Sequence, residues 1–72
     1  MYTKYKQDIK CPFCGKTMIL DDIGYNFDGN EDQYYVCDNH DVTATVRIRY
    51  KKAVIIKIYK GGQLFSINGR EV

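Results

Sequence analysis

No apolar run in this 72-residue chain approaches the roughly 20 residues that a membrane-crossing helix needs, so no membrane partner is expected. Residues 1–8 contain no apolar core of the kind a secretory leader requires, and no leader is expected there. Cysteine is scarce and odd in number: three residues, which excludes a complete set of internal disulfides. Histidine occurs once. No window keeps a helical period with start and stop signals, and there is no internal repeat, low-complexity tract or linker. What remains is an ordinary folded composition, 28% charged and 44% hydrophobic, sized for a single domain over residues 1–72. A domain this short has little core and is commonly stapled by a disulfide, a metal or a partner. The odd cysteine count favours the metal, and with it a reducing, cytoplasmic compartment.

Charge is unevenly placed. Residues 1–41 carry four lysines against eight acids, a balance of −4; residues 42–72 carry seven basic residues against Glu71, a balance of +6. The total of +2 says little about partners, but the C-terminal part offers either a basic surface or a solvated sheet face.

The pattern is that of strands and turns. Thr17–Leu20 and Gln33–Val36 read as short strands, and the Asp-, Asn- and Gly-rich stretch from Asp21 to Asp32 as a loop. From Val42 the alternation is clean: Val42, Ala44, Val46, Ile48 and Tyr50 point one way, and Thr43, Thr45, Arg47, Arg49 and Lys51 the other. Ala53–Tyr59 is a second β-branched run, and Gly61-Gly62 and Asn68-Gly69 are turn signals. A two-residue turn at Gly61-Gly62 sets Tyr59 against Leu64 and Ile58 against Phe65. The core face then takes Val54, Ile56, Ile58, Phe65 and Ile67, leaving Ile55, Lys57, Tyr59, Leu64 and Ser66 on the other. For the preceding turn, a three-residue loop over Lys51–Ala53 buries Ile48 opposite Ile56, and a two-residue loop at Lys51-Lys52 does not. The absence of Gly and Asn argues against a tight turn with positive φ there and admits a bulge. The expected fold is all-β, with about five short strands.

The strongest motif is Cys11-Pro-Phe-Cys14-Gly followed, after 22 intervening residues, by Cys37-Asp-Asn-His40. Two residues between ligands let a tight turn set both side chains on one ion, and Zn²⁺ takes four tetrahedral ligands of this type. Pro12 fixes one φ of the turn, and Gly15 can take the positive φ that aims backbone N–H groups at thiolates. The site uses every cysteine and the only histidine. Rubredoxin-like iron prefers four thiolates, so one structural zinc on Cys11, Cys14, Cys37 and His40 is expected.

These residues, with Met18-Ile-Leu20 after the first pair and Tyr35-Val before Cys37, resemble a zinc ribbon, nearest the topoisomerase-type C-terminal zinc finger and its small stand-alone relatives. The resemblance covers residues 11 to about 48, with His40 where that family usually carries cysteine. It implies a structural zinc, a ribbon hairpin leading into an antiparallel β-meander, and a nucleic-acid- or protein-binding role. On this reading residues 1–10 form an N-terminal tail or edge segment, 11–41 the ribbon part and 42–72 a basic meander.

Other constellations are weaker. Asp28–Asp32 begins like a calcium loop, but Gln33 and Asn39 stand where an EF-hand needs Gly and Glu. No Ser or Cys has a free histidine as base, and a four-ligand zinc leaves no open position, so no enzyme and no small-molecule substrate are expected. Of seven tyrosines, Tyr59 lies nearest the basic cluster in pattern. The candidate binding face is therefore Arg47, Arg49, Lys57 and Tyr59, for nucleic acid first and otherwise for a larger protein, as an adaptor or a virus-like inhibitor of an enzyme.

Overall fold

The protein is described by a computed structural model covering residues 3–38 and 41–71, with the backbone alone over 66–71. It is all-β. Five antiparallel strands, β1 (Ile19–Tyr25), β2 (Glu31–Cys37), β3 (Val42–Arg49), β4 (Lys52–Lys60) and β5 (Gln63–Glu71), form one sheet in sequence order. Among the described residues no helix is long and apolar enough to cross a membrane.

β3 shows the strand alternation directly. Val42, Ala44, Val46 and Ile48 are buried, while Thr43, Thr45 and Arg47 are half-buried on the opposite face. The buried side joins Tyr35 and Cys37 of β2 and is roofed by Ile9, Cys11 and Met18. Residues 3–10 thus lie across the core face. Tyr5 packs on the core, the Gln7 N–H donates to Tyr35 Oη at 2.9 Å, and Thr3 Oγ1 donates to Glu31 Oε2 at 2.6 Å. Gln33 is fully buried there because all its polar capacity is met. Its amide donates to the Tyr5 carbonyl and to Glu31, and its Oε1 accepts from Tyr35 at 2.7 Å.

Several local expectations are corrected. Asp21–Tyr25 belongs to β1 rather than to a loop, paired through to Tyr25↔Glu31, and only residues 26–30 turn. The acids are tolerated because β1 is an edge strand with Asp21 and Asp22 exposed, and Asp21 is the extra residue of a bulge. The β3–β4 connection is a two-residue turn at Tyr50-Lys51, with Arg49↔Lys52 closing it and Ile48 opposite Ala53. Tyr50 and Lys51 have φ of 52° and 65°, which a two-residue hairpin turn of matching twist requires even of non-glycine residues. A bulge at Ile56 then shifts the register, so that Ile55 and Ile58 pack on the core while Val54 and Ile56 go to the other face. In β5 Phe65 is an extra residue, so Ile58 faces Ser66 and Phe65 is exposed rather than in the core; Asn68-Gly69, expected at a turn, lie within the strand at a second irregularity, while Tyr59↔Leu64 and the Gly61-Gly62 turn stand as expected.

The left-handed conformation costs an L-residue about 1–2 kcal/mol, and glycine gives back about 0.5–1 kcal/mol in chain entropy. Lys51→Gly is therefore expected to stabilise the protein by roughly 0.5–1 kcal/mol. A lower thermal midpoint would contradict this turn.

Candidate metal centre and open sheet face

The first cysteine pair sits on a small hairpin of its own. Lys10 bridges Thr17, the Cys11 N–H donates to the Lys16 carbonyl at 2.8 Å, and the Gly15 N–H donates to the Cys11 carbonyl at 2.9 Å. Gly15 closes it at φ 77°; nothing stands within 4 Å of where a Cβ would be, so glycine is needed there for conformation and not for space. Cys37 ends β2 opposite Val42, and the 38–41 connection leads out of it. The Gly61 N–H donates to the Asp41 carbonyl, which brings the β4–β5 turn to the same end of the sheet.

The Sγ atoms of Cys11, Cys14 and Cys37 lie within 4.8 Å of one another, with Cys14 and Cys37 at 3.5 Å. Thiolates bound at about 2.3 Å around a tetrahedral ion stand about 3.8 Å apart, so this donor set fits a metal ion. It is the one such group among the described residues, and the acidic 26–32 stretch does not form another. His40, the fourth expected ligand, lies outside the described residues. Burial raises the Cys11 thiol pKa. The backbone N–H groups of Phe13 and Cys14 and the neighbouring Cys37 and Cys14 thiols more than offset that, leaving it below its ordinary 9.0. The turn thus favours the thiolate, the form that ligates. Phe13 projects from the same turn to meet the Phe65 ring edge-on at 4.9 Å, and Lys60 Nζ lies 4.2 Å from the centre of the Phe13 ring. These contacts tie the cysteine turn to the last hairpin.

The opposite face of the sheet is open. β3 contributes only Thr43 and Thr45 over its middle, whereas its neighbours contribute Tyr34 and Val36 from β2 and Ile56, Lys57 and Tyr59 from β4. Small residues between larger ones make a groove along β3 of about 420 Å³, entered at one side by Asp21. Arg47 and Arg49 adjoin a second hollow with Val54 and Ile56. All four expected binding residues therefore border this face, although by a turn and a bulge other than those expected.

Arg47 is not a free cation. Its Nε and Nη2 donate to the two carboxylate oxygens of Asp32 at 2.8 and 3.1 Å, in a largely buried pair. The side-chain hydrogen bonds to Asp32 raise the Arg47 pKa despite burial. Sequence reasoning missed this partner, but the β2–β3 register reveals it. Counting back from Cys37↔Val42 places Asp32 opposite Arg47. The same count places Tyr34 opposite Thr45, facing outward while Tyr35 faces the core.

Compared with protein-family models, curated proteins and solved structures, the chain matches none.

Proposed function

We propose that this is a small zinc-ribbon binding module that takes single-stranded nucleic acid across the open face of its sheet. One structural Zn²⁺ on Cys11, Cys14, Cys37 and His40 holds the fold. The three converging sulfurs, the ligand spacing and the resemblance to zinc ribbons support that part. The observation that carries the binding role is the groove along β3, where Tyr34 and Tyr59 stand on either side of a threonine floor with Lys57 beside them. Bases stack on such rings without strong sequence preference, and a lysine supplies the phosphate contact. The role is one of binding rather than catalysis, in a reducing compartment such as the cytoplasm, where thiolate ligands persist.

A larger protein as partner is the second reading. The Asp32–Arg47 pair favours it, because it neutralises one of the cations, and so do Val54 and Ile56, whose hollow suits an apolar contact.

Binding of a labelled thymidine oligonucleotide, followed by anisotropy at two salt concentrations, tests the proposal. Tyr59→Ala and Lys57→Glu are each expected to weaken binding about tenfold, and Lys57→Glu also to flatten the salt dependence. Arg47→Glu should cost the fold more than it costs binding, since it sets a second carboxylate against Asp32. An oligonucleotide that does not bind the intact, metal-loaded protein sinks the nucleic-acid reading.

A further inference from the structure

The three most exposed aromatic side chains described, Phe27, Tyr50 and Tyr25 at 109%, 92% and 72% exposure, all lie at the end of the sheet away from the cysteines. Phe27 and Tyr50 sit on separate turns, and both turns are built rather than loose. Asn26 Oδ1 accepts from the Asp28 and Asn30 N–H groups at 2.9 and 3.0 Å, and the Gly29 N–H donates to the Asn26 carbonyl. Phe27 is therefore displayed from an ordered loop. Tyr50 is held outward by a left-handed turn that Asn-Gly would form with less strain. Side by side, the turns enclose a hollow lined by Asp28, Asn30, Arg49 and Tyr50. Neither the metal nor the sheet groove requires any of these rings to be in water.

We infer that this end is a membrane-surface contact, in which Phe27 and Tyr50 enter the headgroup boundary of an anionic phospholipid bilayer. Local charge favours that occupant. Arg49, Lys51 and Lys52 stand at this end against Asp28 and Glu31, and Asp32 is already paired with Arg47, which leaves the cations one in excess. The shape agrees. Two convex knobs on one end need no matching pockets in a fluid interface, and tyrosine and phenylalanine beside cations are the side chains that settle there. Two rings and a small cationic excess give reversible binding that depends on anionic lipid, not insertion. The inference shares Arg49 with the open face but not the groove, which lies on a face of the sheet and not at its end, and it revises the expectation of no membrane partner, which rested on the lack of a membrane-crossing run.

The chain has no tryptophan, so Phe27→Trp creates a single reporter. With the metal-loaded protein, its emission is expected to shift to the blue on vesicles of phosphatidylcholine with about one third phosphatidylserine, and not on phosphatidylcholine alone. Leu64→Trp, exposed but toward the cysteine end, should show no shift on either. In cosedimentation of the unlabelled protein, Phe27→Ser with Tyr50→Ser should lower the bound fraction at least tenfold with the thermal midpoint unchanged, since both rings are already in water. The inference is overturned by an unshifted Phe27→Trp spectrum, by equal shifts at positions 27 and 64, or by a shift at 27 that appears without vesicles as protein concentration rises, which would mark contact between copies.

Discussion

Stripping the metal with a chelator, or replacing Cys37 by Ser, is expected to unfold the protein rather than merely loosen one end. The cysteine turn roofs the same core that the sheet underlies: Ile9, Cys11 and Met18 from the N-terminal part pack with Tyr35, Cys37 and Val42. Without the ion, two or three thiolates are left within 4.8 Å of one another, and they must protonate or separate. A structural zinc contributes about 10–16 kcal/mol in small domains, against about 4–10 kcal/mol of net stability for a domain this short. Elemental analysis should find one zinc per chain, and circular dichroism should lose its cooperative melt with chelator. His40→Cys should retain the metal and His40→Ala should weaken it, which tests the fourth ligand. A metal-free protein that melts unchanged would refute the proposed zinc site.

Tyr35→Phe should cost about 2–4 kcal/mol, an unusual amount for removing one oxygen. That hydroxyl donates to Gln33 Oε1 and accepts from the Gln7 N–H, so its loss strands two polar groups, one of them on a fully buried side chain. The pH dependence identifies the group. Burial raises the Tyr35 phenol above its ordinary 10.0; the Gln7 N–H opposes this and the Glu31 carboxylate adds to it. The folded state therefore holds the proton more tightly than the unfolded state. Its contribution to stability is complete below pH 10 and is lost as pH rises through the higher folded-state value. Urea titrations across the alkaline range should show that decline in the parent protein and a shallower one in Tyr35→Phe. Equal slopes would mean that other groups govern it.

Much of this architecture is legible in the sequence. β3 announced itself by strict alternation, the last hairpin by Gly61-Gly62, and the cysteine cluster by ligand spacing. Beyond the extension of β1 through Asp21–Tyr25, what escaped was of two kinds. Residues 3–10 are polar in sequence, yet they cover the core because their backbone and Thr3 satisfy Gln33, Glu31 and Tyr35, and no periodicity reports such reciprocity. The faces of β4 escaped because a positive-φ turn at Tyr50-Lys51 and a bulge at Ile56 each change the register, and both occur without the residues that usually mark them. The two departures together still bring Arg47, Arg49, Lys57 and Tyr59 to the open side, where the Asp32 pairing alters the chemistry of the first.

The single-layered sheet has a consequence for how this chain can vary. Along β3, the even-numbered positions from Val42 to Ile48 are buried and the odd-numbered ones from Thr43 to Arg49 border the open side. The strand carries two interleaved messages, one constrained by packing and the other largely free of it. Thr43, Thr45 and Arg49 can drift, and the shape and charge of the open face with them, while Val42, Ala44, Val46 and Ile48 stay fixed. Arg47 alone, through Asp32, belongs to both messages.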